Sequence, residues 1–259
     1  MSIRQIFNKE VKTEISKSIN SATGKITEND IAHLPEPVQK YFRLCGFLGM
    51  DKQVNAKVIW RDVKFKTSAE SKYIDLECIH YNFVPQPARI VYMNSLMMGF
   101  IPMEGRDKFQ DGSGNMLIKL FKFLKIADAK GNEMDVSALV TILAESLLIP
   151  SYALQKYITW FPLEPKKAKA VCKFGGIEVS GIFHFNNQYE FTLFETEERY
   201  YSTSGKEYKK MKWSAKAEDY CDGGGFKHPS KLSAFWTSEK GDIVYYTGKI
   251  DKILFNVKD

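Results

Sequence analysis

The sequence predicts a mostly β protein of the α+β class. The expected architecture is one large curved antiparallel sheet of about eleven strands, half-barrel-like, with three or four helices and one helix pair laid across its concave face. Three observations carry this expectation. From Gly49 onward, short runs of β-favouring residues follow one another with turn signals between them. The links are hairpin-short, which makes neighbouring strands antiparallel, and no βαβ rhythm is present. One stretch, MDVSALVTILAESLLIPSYALQ (134–155), breaks the β texture with a helical run between two meanders.

Taken in order, Ile3, Phe7, Val11, Ile15 and Ile19 recur every four residues and predict an amphipathic N-terminal helix over 1–20. Its stripe suits packing on the body or lying on a membrane surface. LPEPVQKYFRLCGFLG (34–49) places prolines at a helix start and Gly46 at its end. Strands are expected near 54–66, 72–84, 88–96, 103–110 and 115–126, with PQP (85–87) and DGSG (111–114) as turns. A helix over 135–148, capped by Asp135, and a short helix near 151–158 interrupt them. Strands resume near 167–174, 177–186, 188–198, 207–220, 229–237 and 242–256. Asn186-Asn187 suits a tight hairpin, and EKGD (239–242) another tight turn. No composition shift divides the chain, so a single domain over 1–259 is expected, with the first helix peripheral.

Alternation shows which faces are wet. In KKMKWSAKA (209–217), Lys210, Lys212 and Lys216 oppose Met211, Trp213 and Ala215; in KAKAVCK (167–173), lysines oppose Ala168, Ala170 and Cys172. FKFLKI (121–126) and VYYTGKIDKILFNV (244–257) are apolar on both faces, which predicts one face against helices and the other against a core or cavity.

Composition narrows the function classes. The net charge of +6 comes from 37 basic residues, of which only six are Arg. Nucleic-acid readers lean on Arg forks, so no nucleic-acid partner is expected. Cys45, Cys78, Cys172 and Cys221 form no CxxC pair, and the four histidines show no metal spacing. No metal or other cofactor is expected. GxSxG is absent, and CDGGGFKHP lacks the phosphate-loop pattern. The N-terminus has no signal-peptide core, and no apolar run reaches spanning length. A soluble, cytoplasmic protein is the expectation.

The candidate site rests on Glu145, the one charged side chain between Val136 and Gln155. A helix without charge all round is buried all round. Val136, Leu139, Val140, Leu143 and Leu147 would face the sheet, and Glu145 would face other protein or a cavity. A buried carboxylate needs a cation, donors or a proton. Arg199, after the acidic run ETEE, is the preferred partner, with Arg61, Arg89 and Arg106 as alternatives. Tyr152 and Trp160 are candidate donors.

LPEPVQKYF, DGSG, LAESLLIP, ITWFPLE, Arg199 and GGGFKHPSKLSAFW, in that order and spacing, resemble a bacterial family of unknown function over about residues 34–255. The resemblance marks Glu145, Pro150, Trp160, Arg199 and Trp236 as matching positions and implies no role for them. At the level of fold, many antiparallel strands with a few covering helices resemble the lipoprotein-carrier half-barrel. That resemblance implies a concavity for acyl chains, though those carriers are secreted and this chain shows no sign of it. The function expected first is therefore binding of an apolar or amphipathic, lipid-like ligand. Glu145 and Arg199 would lie at its polar end, Trp160, Trp213 and Trp236 would form its walls, and Tyr152 would stand nearby. An enzyme using Glu145 as general acid or base, and an interaction module acting through the N-terminal helix, are the alternatives.

Overall fold

The computed structural model of the protein describes residues 1–18, 24–97, 99–202 and 207–258. Helices α1 (Ile3–Ser18), α2 (Glu28–Ile31) and α3 (Glu36–Leu44) precede the sheet. Ile19, the last member of the N-terminal stripe, lies outside the described residues, as does Asn20. Six strands follow: β1 (Asn55–Phe65), β2 (Ile74–Phe83), β3 (Ala88–Met97), β4 (Ile101–Gln110), β5 (Ser113–Leu120) and β6 (Leu124–Lys130). Helix α4 (Asn132–Ala144) and a single 3-10 turn (Pro150–Tyr152) come next. The second half is β7 (Ile158–Glu164), β8 (Lys167–Phe174), β9 (Ile177–Phe185), β10 (Phe191–Thr196), β11 (Tyr200–Tyr201), β12 (Lys209–Lys210), β13 (Trp213–Asp222), β14 (Lys227–Ser238) and β15 (Gly241–Phe255).

Thirteen of these strands form one open antiparallel sheet in the order β6-β5-β4-β3-β2-β1-β15-β14-β13-β10-β9-β8-β7. The first meander runs outward from β1 to the β6 edge, and the second returns from the β7 edge to β15 at the centre. Helix α4 thus joins the two edges. In a flat sheet, β5 and β9 would stand nine spacings apart, about 43 Å. Helix α4 is only about 20 Å long, yet it packs against β4, β5 and β6 on one side and β8 and β9 on the other. The sheet must therefore bend around the helix. At its two arms, the β4–β5 and β8–β9 turns meet. A Cβ on Gly175 would lie 2.9 Å from the Gly112 Cα, and Phe109 stacks edge-on to Phe174. Asp111 and Gly112, at φ 52° and 80°, make the tight turn that DGSG predicts.

The main core lies between α3, α4 and the inner face of the sheet. A second cluster lies under α1. Ile3, Phe7, Val11 and Ile15 pack on Tyr81, Phe83, Ile90, Tyr92 and Leu117. The stripe of α1 is thus occupied by the sheet. Among the described residues no helix is long and apolar enough to cross a membrane.

Several expectations need correction. The large sheet has thirteen strands rather than eleven, and Tyr200–Tyr201 pairs with Lys209–Lys210 outside it. The span 115–126 is not one strand: Phe121 and Lys122 adopt φ 49° and 66° and turn the chain between β5 and β6. Among the described residues α4 crosses the sheet alone, without a second helix. The span 151–158 contributes only the 3-10 turn before β7, an edge strand that tolerates Pro162. Helix α4 starts after Gly131. Asp135 sits within its first turn and accepts the Gly114 N–H at 2.6 Å, so it ties α4 to β5 instead of capping the helix. At 186–190 the loop is longer than a two-residue hairpin, with Asn186 Oδ1 accepting from the Gln188 and Glu190 N–H groups and Tyr189 taking the positive φ.

Candidate functional site

Side chains from both meanders and from α4 line a partly open cavity of about 180 Å³. Its wall follows from strand register. Asn82 of β2 stands directly opposite Arg89 of β3, so the two share a face. Cys78, His80 and Asn82 alternate along that face, as do Arg89, Val91 and Met93. Asp107 of β4 opposes Val91 and is diagonal to Arg89. Trp60 enters from β1 opposite Cys78. The second meander adds Trp213, Ala215, Ala234, Tyr245 and Tyr246, and α4 adds Thr141, Ala144 and Glu145. The wall is mostly aromatic and aliphatic, with charge confined to four side chains.

Glu145 is the C-cap residue of α4, where the helix ends and the carboxylate turns toward β2 and β3. Its side chain is 12% exposed. Arg89 Nε donates to Oε1 at 2.9 Å and Oε2 at 3.0 Å, and Asn82 Nδ2 donates to Oε2 at 2.7 Å. Arg89 Nη1 reaches Asp107 at 3.2 Å. The guanidinium therefore bridges two carboxylates. Burial pushes the Glu145 pKa up, but the Arg89 charge and the donated hydrogen bonds outweigh it and hold the carboxyl below its usual range. Glu145 is an ionised, fully engaged acceptor.

His80 is buried beside this pair. Trp60 Nε1–H donates to its Nδ1 at 3.2 Å, which leaves the ring proton on Nε2. Nε2 meets no partner among the described residues. Burial lowers the His80 pKa to about 4, so the ring is neutral at neutral pH. Cys78 is also in the wall, and burial pushes its thiol up to about 12, which leaves little thiolate for nucleophilic chemistry. Among the described residues, no three His, Cys, Asp or Glu side chains gather where they could hold a metal ion.

Arg199 also lines the cavity, at Thr141, one turn of α4 before Glu145. Its Nη1 donates to the Ser137 carbonyl at 2.7 Å and to Thr141 Oγ1, which fixes it against α4. The guanidinium lies 4.5 Å from the Trp213 ring centroid and 5.9 Å from that of Trp236. All its hydrogen bonds run through Nη1, and Nε is buried without an acceptor. The Nε–Nη2 edge, which forks onto a carboxylate or phosphate, is thus unpartnered among the described residues.

Of the predicted site residues, the structure brings Glu145, Arg199 and Trp213 to one cavity. It does not pair Glu145 with Arg199: the partner is Arg89, one of the alternatives. Trp236 is not in the wall but backs Arg199 and Tyr245. Tyr152 stands beside the Asn82–Arg89–Glu145 cluster but outside the cavity wall, Trp160 lies on β7, and neither donates to Glu145. Tyr152 donates its hydroxyl to the Phe83 and Ala88 carbonyls, at 3.0 and 3.1 Å, and Trp160 Nε1 donates to Ala153 O at 3.0 Å. Sequence reasoning missed His80, Asn82, Asp107 and Trp60. The available signal was uncharged polar residues at alternate positions, in HYN (80–82), where β2 leaves its charged stretch (Asp75, Glu77) for its buried end.

Fold and site together define a class: an open antiparallel sheet, bent around a buried helix, with an apolar cavity lined by an ion-paired carboxylate and an arginine that has no carboxylate partner among the described residues. More particularly, the chain belongs to a family of unknown function, DUF6544, whose profile matches residues 24–248. No curated protein matches it.

Proposed function

We propose that the protein binds a small amphipathic acid, with its apolar part among Trp60, Met93 and Tyr245 and its anionic head on Arg199. The observation that carries this reading is the free Nε–Nη2 edge of Arg199 at the wall of an apolar cavity. A cation held over Trp213 without a carboxylate is ready for an incoming anion. Glu145 is not available for that role, because Arg89 and Asn82 already occupy both its oxygens. Its task is to neutralise Arg89 and leave Arg199 as the one unpaired charge of the wall among the described residues.

Size narrows the ligand. A cavity of about 150 Å³ holds one benzene, and this one is about 180 Å³. That favours a ring-sized or short-chain acid over a full acyl chain enclosed in a half-barrel, although the bent sheet is compatible with the latter shape. The enzyme reading gains little: Glu145 is held ionised and saturated, the opposite of a poised acid. Native mass spectrometry of gently purified protein tests the binding reading. A bound small acid, lost in Arg199→Gln, is expected. An empty protein that takes up no apolar acid from a screened set would contradict it.

A further inference from the structure

The FKFLKI run is apolar on both faces, yet its large side chains stay exposed among the described residues. Phe121, Phe123, Leu124 and Ile126 are 47%, 77%, 50% and 51% exposed. The β3–β4 turn beside it exposes Leu96 at 61% and Phe100 at 71%. The two turns adjoin: Met103 pairs with Leu120, and the Phe121 N–H donates to Pro102 O at 2.9 Å. Six of the twelve large hydrophobic side chains exposed among the described residues therefore project from one end of one arm. A seventh, Met1, is tied to the same end through the Lys119 Nζ bond to its carbonyl. Clustered exposed apolar groups of this kind mark an interaction surface rather than chance.

Within the two turns themselves the charges are of one sign; on the β2 side, Asp75 and Glu77 border Leu96 and Gly99, and Asp75 is paired with Lys64 at 2.7 Å. From Ser113 to Ala127 the charged residues are Lys119, Lys122 and Lys125, three apart and each flanked by apolar residues. Between Ser95 and Met103 there is none. Asp128 pairs with Lys125 at 3.1 Å and approaches Lys130 at 3.9 Å, which leaves the cluster net positive. Apolar tips that enter the acyl boundary, with lysines at headgroup level, match an interface bearing negative charge. We propose that the β3–β4 and β5–β6 turns dock the protein on an anionic lipid surface. This proposal stands apart from the cavity and does not depend on what the cavity binds. It involves a different face from α1, whose apolar stripe packs on the sheet, the first of the two placements its pattern allowed.

Vesicle flotation tests it on the full chain. Vesicles of phosphatidylcholine alone and with about a third phosphatidylglycerol serve as the probe surfaces. Wild type should float with the anionic vesicles, weakly with neutral ones, and less at high salt. The double substitution Phe100→Ser with Phe123→Ser should weaken binding at least about tenfold. Lys122→Glu should weaken it several-fold on anionic vesicles only. Phe161→Ser, an exposed apolar change on β7, should bind as wild type does. All four side chains are at the surface, and unchanged circular dichroism would establish folding. Absence of wild-type binding to anionic vesicles would overturn the proposal, as would binding indifferent to the Phe100 and Phe123 changes. A change in sedimentation-measured self-association, with lipid binding unaltered, would reassign the face to a protein partner and overturn it equally.

Discussion

Replacing Glu145 by Gln leaves Arg89 buried with Asp107 as its remaining carboxylate, at 3.2 Å. Breaking a buried pair from one side is costly, and we expect a loss of about 3 kcal/mol in urea denaturation. A loss near zero would show that the bridge does not hold α4 to β2 and β3. His80 makes a separate prediction in pH. Its folded pKa of about 4 lies below the ordinary 6.5. Between those values the unfolded chain binds a proton that the folded chain does not. Stability is therefore full above about pH 6.5 and falls on acidification to about pH 4, by roughly 3 kcal/mol at most. Glu145, held below its ordinary 4.5, adds loss in the same direction at the acid end. His80→Gln, which keeps an acceptor for Trp60, should flatten the slope between pH 6.5 and 4; an unchanged slope would contradict the assignment. At this scale the burial of Glu145 was legible from its isolation in an uncharged run. Its partner was not, because the Asn82–Arg89 register exists only once β2 and β3 pair. Proximity to ETEE pointed instead to Arg199, but two of its three acids are engaged elsewhere: Glu195 pairs with Lys212 at 2.8 Å, and Glu198 accepts from Ser180.

Helix α4 is the element on which both arms close, and its N-terminal anchor is β5. A Cβ on Gly114 would fall 2.4 Å from the Met134 carbonyl oxygen, so only glycine permits the approach that lets Asp135 accept the Gly114 N–H. Gly114→Ala should push α4 off β5, cost about 2 kcal/mol and raise amide exchange in α4; wild-type exchange would contradict the anchoring. Most strands were legible because lysine and apolar residues alternate, as in Lys167–Phe174, where Ala168, Ala170 and Cys172 are fully buried. Two failures have physical causes. The β5–β6 turn carries no Gly, Asn, Asp or Pro, since Phe121 and Lys122 take the left-handed region themselves. Strand β7 contains Pro162, which reads as a breaker but is harmless at an edge.

For the whole molecule, the expectation of two meanders and a helical interruption anticipated one antiparallel sheet. The bend did not follow from local pattern; it follows from α4 touching strands nine places apart. Helix α1 adds a second buried layer on the other face. Phe7, 3% exposed on Tyr81 and Tyr92, should cost about 3 kcal/mol on truncation to Ala; a cost near zero in denaturant unfolding would mean that α1 is only loosely docked. Ligand binding would depend on the cavity and on Arg199, which has no carboxylate partner among the described residues. Calorimetric titration with phenylacetate and with its neutral isostere phenylacetamide tests this most directly, in wild type and in Arg199→Gln. Saturable binding that favours the acid by about tenfold or more, with the preference abolished by Arg199→Gln, is the predicted result; no saturable binding, or equal binding of acid and amide, would contradict it.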